Sequence, residues 1–226
     1  MPYGQVITTC IRSGDIALTF DDGPHIYTAA LLDLLARYSV KATFFVLGTN
    51  GLGELDKVQQ RSDAIRRMYN EGHQIASHTW SHPDLTTLSS AARREEMYRT
   101  EQVLANILGL FPTYMRTPYL AYNAETGVDM AALGYHIIST NLDPRDWENS
   151  TPETIYKSAK VFNDTLAADP RSNSFIVLNH DIHRTTVYNL VEGEIQRLRA
   201  RGYRPVTVGQ CLGDSAANWY RAGPRV

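Results

Sequence analysis

The stretch IALTFDDGPH, residues 16–25, ends an apolar run in two adjacent carboxylates, Asp21 and Asp22, followed by a Gly-Pro break. Ile16 to Phe20 reads as a buried strand. Side chains alternate along a strand, so neighbours normally point to opposite faces. Two carboxylates forced into one site repel unless a positive group lies between them. The pair is therefore either a solvated turn or part of a cation site. Further along, SHTWSH places His78 and His82 four residues apart, a spacing that keeps both imidazoles on one side of the chain. Two imidazoles and one carboxylate make a three-ligand set with open positions, the pattern of a catalytic zinc site. Alone, such a histidine pair is ordinary surface or capping chemistry. Joined to the strand-end Asp pair, it makes a divalent cation the reason the adjacent carboxylates are tolerated, one as ligand and the other free beside it as a base.

The elements that must position these groups alternate regularly. Strands are expected at IALTF, ATFFVLG, QIASH, TYMRTP, HIISTN, SFIVLNH and RPVTV. Helical patterns separate them: TAALLDLLARYSV, the region of DAIRRMYNEG, SSAARREEMYRTEQVLANILG with Gly109 placed to stop it, and NAETGVDMAALG. TPETIYKSAKVFNDTLAA, with Thr151 as N-cap and Pro152 at the first helical position, and VYNLVEGEIQRLRARG complete the series. Seven strand–helix alternations predict parallel strands in a barrel or a doubly wound sheet, within one domain over residues 1–226. The unusual polar residues fall at the C-terminal strand ends, where α/β barrels place their chemistry: Asp21 and Asp22, His78 and His82, Arg116, Asp143 and Asp146, and His180.

The 226 residues are 43% hydrophobic and 20% charged, with a net charge of −2, so no basic stripe argues for nucleic acid or an anionic membrane. No apolar stretch approaches the roughly 18 residues of a membrane span, and MPYGQVITTC lacks the features of a signal peptide. Cys10 and Cys211 lie near opposite ends of the chain. They are either two buried free thiols or, if barrel closure brings the ends together, a disulfide, which would imply an oxidising compartment. The sequons at Asn149 and Asn163 are compatible with a secretory route.

Five motifs in order carry a family resemblance: TFDDGP (Thr19 to Pro24), HTWSH (His78 to His82), RTPY (Arg116 to Tyr119), DPRDW (Asp143 to Trp147) and LNH (Leu178 to His180). The chain resembles the polysaccharide deacetylases, the family 4 carbohydrate esterases with the NodB-type domain. RTPYLAYN and the cysteine pair make it most similar to the fungal chitin deacetylases among them. The resemblance implies a distorted (β/α) barrel of about seven parallel strands and metal-dependent removal of N-acetyl groups from chitin or chitooligosaccharides. It implies Asp22, His78 and His82 as ligands of one divalent ion, Zn²⁺ or alternatively Co²⁺, and Asp21 as general base. It makes the Tyr119 backbone N–H an oxyanion donor and His180 the general acid, oriented by Asp146, with Arg116 holding Asp21 in its charged form. Trp80, Tyr119 and Trp147 are expected to stack on sugar rings, and Leu178 to line the acetyl-methyl pocket. Pro144 departs from the common pattern and leaves Asp143 without a role; His25, His73, His136 and His183 are expected to be structural or solvated, with His183 beside the acid. A secreted monomer is expected. The competing readings are deacetylation of peptidoglycan or O-acetylated xylan, an inactive carbohydrate-binding module, which no missing site residue supports, and a glycosidase using paired carboxylates without a metal.

Overall fold

A computed structural model describes residues 1–224. In chain order the elements are β1 (Val6–Ile7), β2 (Asp15–Asp21), α1 (Thr28–Arg37), β3 (Thr43–Val46), α2 (Gln59–Asn70), β4 (Gln74–Ser77), α3 (Ser90–Leu108), β5 (Leu110–Pro112), β6 (Tyr114–Met115), α4 (Ala124–Leu133), β7 (His136–Ile138), α5 (Ile155–Thr165), β8 (Phe175–His180), α6 (Val191–Ala200), β9 (Arg204–Val206), α7 (Val208–Cys211) and β10 (Tyr220–Ala222). The seven strands read from the sequence are all present, and all pair in parallel.

The sheet runs β1-β7-β6-β4-β3-β2-β8, with β9 beside the first half of β2. The chain that continues from β7, the strand next to the β1 edge, closes on the β8 edge: Leu142 pairs with Val177, and the Leu178 N–H donates to the Leu142 carbonyl at 3.0 Å. The sheet is thereby curled into the distorted barrel expected. Strand β2 is its axis, with all seven residues buried. Its outward residues, Ile16, Leu18 and Phe20, pack with Leu31, Leu32 and Leu35 of α1 and with Ile195 and Leu198 of α6. Its inward residues follow the period of two: Ala17 lies opposite Ile176, Thr19 opposite Leu178, and Asp21 opposite His180. The inner column therefore changes from apolar at the start of the strands to polar at their ends.

The N-terminal mouth of the barrel is plugged. Helix α7 starts on a capping box between Thr207 and Gln210, and its first N–H groups donate to Thr43 Oγ1 and Gln74 Oε1, side chains that open β3 and β4. Val208, Cys211, Leu212 and Trp219 join Ala17, Ile138 and Ile176 in an inner cluster. Cys10 is bonded to Cys211, so the disulfide alternative holds, across a sequence separation of 201 residues.

Three local readings are corrected. Helix α5 begins at Ile155, not at Thr151–Pro152, because the Thr154 hydroxyl meets the Thr151 hydroxyl at 2.9 Å and closes a separate turn there. An eighth parallel strand, β1, and an antiparallel β5–β10 pair were not visible as periodic runs, being two and three residues long. Helix α6 is preceded by a π-helical turn, Thr186–Leu190, rather than beginning regularly at Val187. The Gly109 stop of α3 is as expected, with φ 72°.

Cross-linking so long a loop contributes about 5 kcal/mol in the chain-entropy account. Thiol titration of the unfolded, unreduced protein should detect none. A Cys10→Ala/Cys211→Ala variant should unfold at markedly lower denaturant, and an unchanged midpoint would show that the plug holds without the cross-link.

Candidate active site

Asp21 is the last inward residue of β2 and only 2% exposed. A carboxylate so placed needs a counter-charge. It receives one from Arg116, directly after β6, whose Nη1 lies 2.8 Å from Asp21 Oδ1 and 2.7 Å from Thr19 Oγ1. The guanidinium is itself fully buried, donates through Nε and Nη2 to the carbonyls of Ile138 and Ser139, and sits 4.2 Å over the Phe45 ring. Four hydrogen bonds through all three guanidinium nitrogens thus fix Arg116 to the ends of β2 and β7.

Asp22 leaves the strand in the left-handed region, φ 73°, so its side chain does not continue the alternation. Its Oδ1 lies 3.4 Å from His78 Nε2 and 3.5 Å from His82 Nε2. His78 follows β4, and its Nδ1 pairs with the Arg116 carbonyl at 2.9 Å, which directs Nε2 to the site. His82, at φ 61°, is brought back beside it, the two rings 4.9 Å apart. Burial, and then the adjacent His78, hold the His82 imidazole below its usual range, which keeps it a neutral donor. The three ligand atoms lie within 4.8 Å of one another. Asp22 Oδ1 is buried and accepts no hydrogen bond among the described residues. An unpaired carboxylate oxygen facing two imidazole nitrogens suits a divalent cation such as zinc.

His180 ends β8, opposite Asp21 in the ladder. Its Nδ1 lies 2.8 Å from Asp146 Oδ1, and its backbone N–H donates to Asp146 Oδ2 at 2.7 Å. Asp146 is fully buried and also accepts from Thr186 Oγ1 at 2.8 Å. Burial works against the Asp146 charge, but the facing His180 and these bonds hold it below the usual carboxylate range. Burial would lower His180, but the hydrogen bond and charge of Asp146 overcome it and raise the imidazole to about 9. His180 is therefore a protonated, oriented group at neutral pH.

Asp21, Asp22, His78, His82 and His180 line one cleft of about 460 Å³ together with Thr117, Tyr119, Leu120, Asp143, Trp147 and Leu178. Tyr119 and Trp147 are 69% and 52% exposed, and the Tyr119 ring lies edge-on to His82 at 4.6 Å. Leu178 faces the cleft from the inner column, one position below His180. Asp143 is on the wall, its Oδ1 accepting from the Arg145 N–H at 2.7 Å. Trp80 corrects a sequence expectation. It is 6% exposed, one side of its ring packed on Gly48 and the Arg99 guanidinium 4.0 Å from the ring centre, so it offers no face to a sugar. His183 stands 5.9 Å from His180, and burial holds its imidazole below the usual range. His73 and His136 are buried away from the cleft. Sequence reasoning missed Asp181, fully buried and pushed up to about 7 by that burial, which accepts from Thr28 Oγ1 and closes against Gly23. Its only signal was its place beside His180.

A family profile described as polysaccharide deacetylase matches residues 9–138. A chitin deacetylase of Colletotrichum lindemuthianum is 49% identical over 222 residues, which are 98% of this chain and 89% of that protein. The solved structure of the chitin deacetylase from the same fungus superposes with a TM-score of 0.97 at 48% identity, covering 100% of this chain and 99% of that one. A probable peptidoglycan-N-acetylglucosamine deacetylase of Arthroderma benhamiae is 44% identical over 225 residues, 99% of this chain; the chain spans 50% of its length.

The His180–Asp146 pair generates a titration. A group that binds its proton more tightly when folded stabilises the fold below its unfolded value, near 6.5 for histidine, and that contribution is lost as pH rises through the folded value, here about 9. In metal-free protein the His180 ring resonance should titrate near pH 9. In Asp146→Asn, burial acts without its counter-charge, and the midpoint should fall by more than one pH unit. An unmoved midpoint would show that Asp146 does not set it.

Proposed function

The chain belongs to the polysaccharide deacetylase family and is an enzyme of that family, and within it we propose that it hydrolyses the N-acetyl groups of chitin or chitooligosaccharides, releasing acetate and leaving glucosamine units. The observation that carries this reading is the placing of Asp21 and His180 as ladder partners on one wall of a cleft that also presents Asp22, His78 and His82. A carboxylate and an imidazole, read as base and acid, thus stand together in the cleft that presents the three-ligand set. The identity of 49% to a chitin deacetylase over nearly the whole chain supports chitin as the glycan.

Hydrolysis of an amide consumes one water, forms a C–O bond to the acetyl carbon and breaks the C–N bond. A divalent cation held by Asp22, His78 and His82 would supply Lewis acidity toward the acetyl oxygen and the water; two nitrogens and one oxygen suit zinc, with cobalt as the alternative. Asp21, fixed by Arg116, takes the proton from the attacking water. The Tyr119 backbone N–H donates to the developing oxyanion. His180, held protonated by Asp146, delivers a proton to the departing sugar nitrogen, so the amine leaves neutral. Leu178 provides an apolar wall for the acetyl methyl. Tyr119 and Trp147 offer exposed aromatic faces for sugar rings. The Cys10–Cys211 bond supports action in an oxidising compartment, in keeping with a secreted enzyme. Peptidoglycan is the second reading, favoured by the 44% identity to the probable peptidoglycan deacetylase.

Mass spectrometry of chitooligosaccharides treated with the enzyme should show loss of acetyl units without loss of sugar. A strong chelator should abolish it, and zinc or cobalt should restore it; full activity of verified metal-free protein would falsify the ligand assignment. Faster turnover on peptidoglycan fragments than on chitooligosaccharides would transfer the substrate assignment to the second reading. Asp21→Asn should retain the metal and lose about 10²- to 10⁴-fold in rate. Asp22→Asn should lose metal, with part of the activity returning at excess metal. The reverse pattern of metal contents would exchange the two roles.

A further inference from the structure

Asp22, His78 and His82 lie outside the strand ladders, and Asp22, Thr79 and His82 all have left-handed backbone, with φ of 73°, 76° and 61°. Such conformations cost about 1–3 kcal/mol each and persist only where surrounding contacts impose them. The contacts here converge on one segment, residues 47–53. Leu47 N–H donates to the Gly23 carbonyl at 3.1 Å, and Asn50 Nδ2 donates to the carbonyls of Asp22 and Pro24 at 3.0 and 3.1 Å. On its other side, Gly48 and Thr49 N–H groups donate to the carbonyls of Thr79 and Trp80 at 3.1 and 2.8 Å. The segment therefore touches both turns that carry the ligand set.

We propose that Arg61, in the first turn of α2, is the positioning residue for the Asp22, His78 and His82 set, acting through this segment. The inference rests on the metal reading above. Arg61 is 2% exposed. Its Nε donates to the Pro24 carbonyl at 3.2 Å, Nη2 to the Leu47 carbonyl at 3.0 Å, and Nη1 to the Gly53 carbonyl. One rigid fork thus joins the Asp22 turn to both ends of the 47–53 segment. A buried guanidinium normally pairs with a carboxylate. Arg61 forms no ion pair among the described residues, and burial pulls it down to about 10, with Asp181 acting on it as the opposing charge. A costly charge committed wholly to backbone carbonyls is explained by the geometry it imposes. Lysine cannot replace it, because three donors on one nitrogen cannot reach three carbonyls spread across a planar fork.

The test reads metal affinity rather than turnover. Metal-free full chain is titrated with Co²⁺ against a chromophoric chelator, and the visible spectrum of the bound ion is recorded. Arg61→Lys and Arg61→Met should weaken Co²⁺ binding at least tenfold and alter the spectrum. Arg67→Ala is the control: Arg67 lies on the same helix but pairs at the surface with Asp33 and Glu71, so it should keep wild-type affinity. A folded Arg61→Lys or Arg61→Met protein with wild-type affinity overturns the proposal, as does an equal loss in Arg67→Ala. Where neither Arg61 variant folds, Asn50→Ala decides: weakened binding supports the proposal and wild-type binding overturns it. Wild-type protein that binds neither Co²⁺ nor Zn²⁺ overturns the underlying site reading as well, which separates that failure from this one.

Discussion

Two carboxylates on successive residues are the constraint to which the rest of the site answers. Asp21 and Asp22 cannot share one dry environment as anions without separate compensation. Asp21 stays in the ladder and meets Arg116 from below, at 2.8 Å. Asp22 turns out of the strand through a positive φ and faces two imidazoles. His180, held protonated by Asp146, adds a second positive group across the ladder from Asp21. The negative pair thus faces an arginine, two imidazoles and the His180 ring, drawn from the ends of β6, β4 and β8.

The barrel makes this division possible by separating stability from chemistry along one axis. Ala17, Ile176, Val208 and Trp219 fill the inner space near the strand starts, and Cys10–Cys211 binds the plug to the segment between β1 and β2. The same inner column then presents Thr19 and Leu178, and finally Asp21 and His180. A side-chain period of two means that a one-residue slip of β8 against β2 would send His180 to the helical side. Register between these two strands therefore sets how Asp21 and His180 face one another. The Leu142–Val177 bridge extends the control to Asp146, which follows it by only four residues.

Backbone strain collects where the chemistry is. Asp22, Thr79, His82, Tyr119, Leu120 and Arg145 all carry positive φ without being glycine, and all belong to the loops above the strand ends. Elsewhere the same requirement is met mostly by glycine, as at Gly109 and Gly134 ending α3 and α4, with Ser39 after α1 an exception at φ 49°. Glycine would remove the strain at the site but also the side chains that do the work, so the surrounding hydrogen bonds must impose the shape. The Arg61–Asn50 segment does so for the ligand turns, as Thr186 and the His180 N–H do for Asp146.

The strand ends, the residue types placed on them and the order of the five motifs were legible in the sequence, because hydrophobic periodicity and motif spacing are local properties. Strand–helix alternation pointed to parallel strands in a barrel or a doubly wound sheet, and the family resemblance chose the barrel. Strands β1, β5 and β10 were not legible; β6, β7 and β9 are as short but lie within longer runs, TYMRTP, HIISTN and RPVTV, that announce them. Trp80 was misread because a tryptophan inside a functional motif carries no mark of which way it faces, and the approach of Gly48 and Arg99 decides it. The pairing of Arg116 with Asp21, 95 residues apart, was expected only through the family resemblance; its contact at 2.8 Å is set by the tertiary structure. Arg61 was not legible at all. Its partners are carbonyl oxygens, which every residue possesses, so no residue type announces them, and only the folded path of the chain brings three of them to one guanidinium.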